Sequence, residues 1–135
     1  MDTPRRPDRL RLSDKLEISR VITGLWQVAD IEKDGRIIDP ETGAGWLDAY
    51  ASQGFDTFDM ADHYGSAEII AGRLLARGQS PPPLVFTKWC PAAGDLTRDV
   101  VRAGNKERHE RRRGVTIHHL QFHRLGFHHP AWLDS

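Results

Sequence analysis

The stretch FDTFDMADHYGSAEIIAGRLL, residues 55–75, passes from an alternating segment through a polar step into a helical pattern. Strand side chains alternate with period two, so Phe55, Thr57 and Asp59 share one face and Asp56 and Phe58 the other. The predicted strand, Phe55 to Asp59, therefore closes on a carboxylate, and five residues later Tyr64 stands on the loop that it feeds. Ser66 is placed as a helix N-cap. Ala67, Ile70, Ala71, Leu74 and Leu75 follow at helical spacing as one apolar stripe, stopped at Gly78.

The same grammar extends to both sides. Upstream, Ile18 to Trp26 (ISRVITGLW) reads as a β-branched strand stopped by Gly24, followed by a polar loop from Gln27 to Pro40. Asp39 and Pro40 form an N-cap and N1 pair, Leu47, Tyr50 and Ala51 recur at helical spacing, and Gly54 supplies the left-handed stop. Downstream, SPPP is a linker and Leu84 to Lys88 (LVFTK) a third strand. Strand, helix, strand, helix, strand predicts a parallel α/β sheet built from crossovers. A third helix starts at Thr97 with Val100, Val101 and Ala103, then loses its stripe in GNKERHERRRG, and a helix polar all round has no face to dock on a sheet. In VTIHHLQFH, Val115 and Ile117 are in one phase and Leu120 and Phe122 in the other, so the region around His118 and His119 is expected to be bulged or damaged. Residues 1–17, polar and rich in Pro and Arg, are expected to be a mobile arm or an irregular lid, with an ordered domain over 18–135.

At 135 residues the chain has room for one domain. Its formal net charge of zero gives no whole-chain case for nucleic acid or an anionic membrane surface. No stretch reads as a secretory signal or a spanning helix, and the single cysteine, Cys90, excludes an internal disulfide and a multi-cysteine zinc site. A cytoplasmic protein is the expectation.

In a parallel α/β barrel the carboxyl ends of the strands converge on one rim, where active sites are built. Asp59, Lys88 and His123 close the second, third and fourth strands, and Tyr64 follows Asp59. Together these groups suit proton donation by a phenol. A free tyrosine, with a pKa near 10, needs a neighbouring cation to give up its proton at neutral pH. An ammonium at about 4 Å in an effective dielectric near 20 favours the phenolate by roughly 4 kcal/mol before desolvation is subtracted. A carboxylate can anchor that ammonium, and an imidazole can orient the carbonyl oxygen that takes the proton.

GLW at 24–26, GFDTFDMADHYG at 54–65, VFTKW at 85–89 and LQFH at 120–123 resemble the aldo-keto reductases. The resemblance covers about residues 18–135. It implies the N-terminal half of a (β/α)8 TIM barrel, with about four parallel strands and flanking helices, and reduction of aldehydes or ketones by hydride transfer from NADPH. It makes Asp59, Tyr64, Lys88 and His123 the catalytic tetrad, with Tyr64 the general acid. Gly24 and Asp59 become cofactor contacts, and Trp26 and Trp89 walls of the pocket for a small carbonyl substrate.

A TIM barrel takes around 250 residues and eight strands, and here the pattern ends after four. The late loops that the family uses for the NADPH phosphates have no counterpart, so a truncated reductase with little or no activity alone is expected. It would need a missing C-terminal half or associate through open sheet edges. The competing reading is a non-catalytic remnant or interaction module, with an ordinary strand-end ion pair beside a turn tyrosine. His118, His119, His123, His128 and His129 could suggest a metal site, but without cysteine or paired carboxylates they read as a solvent-facing cluster and no metal is expected. Arg108, Arg111, Arg112 and Arg113 read as a solvated loop run rather than a phosphate patch, and Cys90 as a small buried filler.

Overall fold

The structure is a computed structural model that describes residues 5–29, 35–112 and 116–123. Its centre is a parallel sheet of four strands in sequential order: β3 (Thr23–Gly24), β4 (Thr57–Asp59), β5 (Leu84–Trp89) and β6 (His119–Phe122). The register sets Gly24 beside Asp59, Asp59 beside Phe86, and Lys88 beside Gln121. Three helices connect the strands: α1 (Pro40–Ser52), α2 (Ala67–Leu75) and α3 (Arg98–Arg111). This is the strand and helix alternation expected from the sequence.

Local chemistry fixes the helix starts. The Asp39 carboxylate accepts the Thr42 amide at 2.9 Å ahead of Pro40, and Gly54, at φ +92°, turns the chain out of α1. Ser66 occupies the N-cap of α2, but its hydroxyl makes no capping bond. Ala67, Ile70, Ala71 and Leu74 are fully buried with Leu47, Phe58, Met60 and Val85, while Leu75 packs on that core from its edge. Each large apolar side chain so buried contributes about 1.5–3 kcal/mol. Tyr50, expected in the α1 stripe, is 53% exposed, because Gly43, Ala44 and Leu47 form the face against α2.

Four expectations need correction. Residues 9–19 of the supposed arm and first strand are an antiparallel hairpin, β1 (Arg9–Ser13) with β2 (Leu16–Ser19), pairing Leu10 with Ile18. The alternation in RLRLS outweighs its polar composition, and Arg9 Nη1 reaches both oxygens of Asp56 at 2.7 and 2.8 Å, tying the hairpin to the sheet. The single strand expected over Ile18 to Trp26 is split into β2 and β3. The Ser19 amide donates to Thr57 Oγ1, and the Ser19 hydroxyl accepts the Val21 amide, so side chains take bonds that a strand ladder would use.

The third correction is α3, which does not fail at Gly104 but runs on to Arg111. It docks through glycine and arginine instead of an apolar stripe. A Cβ on Gly104 would lie 2.9 Å from the Trp89 ring, and one on Gly72 of α2 would lie 2.9 Å from the Arg112 Cα, so both residues permit close approach. Arg108 and Arg112, expected in a solvated run, are 3% and 2% exposed. Long arginine stems cover apolar surface while their heads are paired, which is how a charged helix can pack. Arg113 and Val115 lie outside the described residues.

The last correction concerns the phase break at His118 and His119. It marks the start of β6 and is not a bulge within it. The His118 amide donates to Val85 O at 3.1 Å, and the Val85 amide donates to His118 Nδ1 at 3.0 Å. Burial lowers the His118 pKa from its ordinary value, favouring the neutral ring that this acceptor role requires.

Candidate active site

Asp59 and Lys88 stand at or next to the carboxyl ends of adjacent parallel strands, on the face that also carries Gly24, Phe86, His119 and Gln121. These residues, with Leu10, Leu12, Ile18 and Ile22, line a concavity of about 570 Å³. Lys88 Nζ lies 2.6 Å from Asp59 Oδ2 and also donates to the Met60 carbonyl at 3.0 Å. Both side chains are partly buried, at 17% and 32% exposure, which makes their attraction stronger than that of a surface pair.

The loop after β4 continues along β5 before it turns. The Met60 amide donates to Phe86 O and the Asp62 amide to Lys88 O, each at 3.0 Å, after which Gly65 takes a positive φ of 46°. Tyr64 is thereby folded back over the strand ends. Its ring centroid is 5.2 Å from Lys88 Nζ, and the Trp26 ring meets it edge-on at 4.7 Å. His123 follows β6, its amide donating to Trp89 O at 2.7 Å. The His123 ring stacks on His63 at 6.2 Å, and His63 in turn meets Tyr64 edge-on at 4.9 Å. Asp59, Tyr64, Lys88 and Trp26 thus come together, and His123 joins the rim by way of His63.

Trp89 goes elsewhere. Period-two alternation that turns Lys88 to the concave face sends its neighbour to the other side, where Trp89 packs under α3 with Arg108 5.1 Å from its ring and Phe122 at 5.7 Å. It lines a separate hollow of about 460 Å³ with Asp62, His63 and Arg108, so the expectation that it walls the Tyr64 pocket is corrected. Cys90 is half-buried, and its amide donates to Asp62 Oδ2. Among the described residues no group of three or more His, Cys, Asp or Glu could hold a metal ion, and His128 and His129 lie outside them.

Sequence reasoning missed Asp62 and His63. Both belong to the polar step before Tyr64, and a loop that must return a side chain over a strand end was the available signal. It also missed Glu68, which is 2% exposed on α2 and accepts the Thr87 hydroxyl at 2.8 Å. Burial raises the Glu68 pKa, opposed by the Thr87 bond and by Arg108, Arg111 and Arg112.

This rim is where the motifs of residues 54–65, 85–89 and 120–123 meet, and the Aldo/keto reductase family model matches residues 20–133. The chain belongs to the aldo-keto reductases. A 6-dehydroglucose reductase from Agrobacterium fabrum is 41% identical over 66 residues, covering 47% of this chain and 21% of that protein. The crystal structure of a Pseudomonas aeruginosa protein assigned to the aldo-keto reductases superposes with a TM-score of 0.75 at 21% identity, over 98% of this chain and 54% of the other. A Bombyx mori aldo-keto reductase, solved with NADP, gives 0.58 at 19% identity over 86% and 38%. At such identities the structural matches establish the fold. This chain spans about half or less of the length of these TIM-barrel reductases, and its four-stranded sheet accounts for that share. No helix among the described residues is long and apolar enough to cross a membrane.

Proposed function

We propose that this chain carries the proton-donating half of an NADPH-dependent aldehyde or ketone reductase. The observation that carries the reading is Lys88, held at 2.6 Å by Asp59 with its ammonium 5.2 Å from the Tyr64 ring centroid. Among the described residues Lys88 Nζ donates to Asp59 and Met60 only, so one of its three N–H groups remains to support the Tyr64 oxygen as it loses its proton. Tyr64 then acts as general acid toward the carbonyl oxygen, Asp59 fixes Lys88, and His123 orients the carbonyl.

The rim end of the concave face, where Gly24 stands beside Asp59, suits the reactive end of a nicotinamide cofactor, since a Cβ added to Gly24 would meet nothing within 4 Å. The deeper part, lined by Leu10, Leu12, Ile18 and Phe86, is the interior that a closed barrel fills with side chains. When bound, NADPH supplies the hydride that reduces the carbonyl carbon. Gly24 and Asp59 would line its place, and Trp26 would help exclude water on the Tyr64 side. Among the described residues of the concave face only Lys88 carries a fixed positive charge, and Asp59 holds it, so the cofactor phosphates need groups from elsewhere. A reducing cytoplasm suits the single cysteine.

On this reading the groups that hold the cofactor phosphates belong to the rest of a barrel, of which the described residues form about half. In a fluorescence titration the chain alone should show little quenching of its tryptophans by NADPH. Mixed with a polypeptide supplying the remaining barrel half, it should reduce carbonyls, and Tyr64→Phe should abolish that activity. Undiminished turnover by Tyr64→Phe would refute the reading. Exposed Leu10, Leu12, Val21 and Ile22 support association as the step that precedes chemistry.

A further inference from the structure

Asp62 commits every polar group it has to holding the Tyr64 loop. Its amide donates to Lys88 O at 3.0 Å, and its carbonyl accepts Arg111 Nη1 at 2.9 Å. Oδ1 faces His63 Nδ1 at 3.1 Å, while Oδ2 accepts both the Cys90 amide at 3.0 Å and Arg108 Nη2 at 2.7 Å. These partners come from the end of β5, the loop after it, and α3. Arg108 is an unusual anchor for a surface helix: its side chain is 4% exposed, it also donates to Gly104 O, and it lies over the Trp89 ring. A guanidinium desolvated to that degree, and bonded to a carboxylate, fixes geometry far better than an exposed and freely rotating pair.

The clamp ends two residues before Tyr64, and His63 fills the step between them. A carboxylate only accepts, so the Asp62 contact leaves the proton of a neutral His63 on Nδ1 and its lone pair on Nε2. The ring is held where it separates Tyr64 from His123, edge-on to the first and parallel to the second.

We propose that Asp62 is the positioning residue of the rim: through Arg108 and Cys90 it fixes the loop so that Tyr64 stands against Trp26 beside Lys88, and through His63 it sets the spacing to His123. The functional value of that placement rests on the reductase reading above, whereas the placement itself does not. A residue that merely stabilises the fold would weaken all contacts together; a positioning residue moves Tyr64 and leaves the core alone.

The test uses the full chain with Tyr50→Phe, which removes the exposed one of its two tyrosines and leaves Tyr64 as the single ring to observe. With 13C-labelled tyrosine, nuclear Overhauser contacts from Tyr64 to the Trp26 and His63 rings report its position, and the methyl signals of Leu47, Leu74 and Val85 report the core. Asp62→Ala should lose the Tyr64–Trp26 contacts and shift the Tyr64 signals while those methyl signals stay in place. The milder Asp62→Asn and Arg108→Gln should shift the Tyr64 signals in the same direction. Unchanged Tyr64 contacts in a folded Asp62→Ala chain would overturn the proposal. So would core and Tyr64 signals collapsing together in all three variants, since Asp62 would then be a fold stabiliser only. If Tyr64 moves in these variants as expected, but the chain with Asp62 and Arg108 intact reduces no carbonyl once completed by the other barrel half, the reductase reading is refuted and the clamp stands.

Discussion

Two substitutions of one kind should have opposite signs. Gly45 and Gly72 both lie inside helices, α1 and α2, where replacing glycine by alanine gains about 0.8–1.0 kcal/mol of helix propensity. At Gly45 the nearest atom to an added Cβ is Arg77 Nη2, the end of a flexible side chain, at an ordinary 3.6 Å. At Gly72 an added Cβ would lie 2.9 Å from the Arg112 Cα and 3.2 Å from its carbonyl carbon and oxygen. Those are backbone atoms of the residue that closes α3, so the overlap is relieved only by moving one helix from the other. Overpacking of this kind costs about 1–3 kcal/mol. Gly45→Ala should therefore stabilise by close to 1 kcal/mol, and Gly72→Ala should destabilise by about 1 kcal/mol after the propensity gain is subtracted. For a chain of this length each kcal/mol moves the melting temperature by about 4 °C, so the two variants should melt roughly 8 °C apart in parallel scans. Equal stabilisation by both would mean that α2 and α3 do not meet at Gly72, and the account of how a charged helix docks would fall.

Phe58→Ala, at a fully buried position, should cost about 3–5 kcal/mol in urea unfolding; a loss below 1 kcal/mol would place Phe58 outside the core. His118→Leu removes the acceptor of the Val85 amide and should cost about 1–3 kcal/mol, with faster hydrogen exchange at Val85 as its local signature. The pKa of half-buried His118 is lowered from 6.5 by desolvation, so its contribution is present above pH 6.5 and is lost as pH falls through the depressed value. The stability gap between the natural chain and His118→Leu should narrow with acidification. Glu68 has the opposite linkage: its pKa is raised above 4.5, so its contribution is present below pH 4.5 and is lost as pH rises through the folded value. Stability of the natural chain relative to Glu68→Gln should accordingly be higher at pH 4.5 than at pH 7, and a flat difference would show that Thr87 and the arginines offset the desolvation of Glu68 in full.

How far the sequence could be read follows from which forces leave a local trace. Asp39 and Pro40 announce α1 because capping is settled within four residues, and the Ala67 to Leu74 stripe announces α2 because its burial recurs at the helical period. That Asp59, Tyr64, Lys88 and His123 would come to one rim was legible from the strand ends and the quoted motifs. The hairpin was not, since four arginines in the first eleven residues masked the alternation of Leu10 and Leu12. Trp89 was assigned to the wrong side although the rule that turns Lys88 inward turns its neighbour outward.

The deeper miss was α3. Apolar periodicity detects helices that dock by excluding water, and this one docks by pairing guanidinium groups with carboxylates that lie far away in sequence. Arg108 meets Asp62 at 2.7 Å across a separation of 46 residues, and Arg111 Nη1 sits 3.7 Å from Glu68 Oε2 while donating to the Asp62 carbonyl. No window along the chain contains such a pair. The consequence is that the attachment of α3 and the placement of Tyr64 draw on the same interactions, so a change that lifts α3 also loosens the rim. Gly72→Ala is then more than a packing test. If α3 holds the loop through Arg108, displacing the helix at Gly72 should shift the Tyr64 signals in the direction produced by Arg108→Gln. Gly45→Ala, on the helix that does not touch Asp62, should leave them where they are. Tyr64 signals that ignore Gly72→Ala while α3 is displaced would separate docking from positioning and leave Asp62 without its connection to the helix.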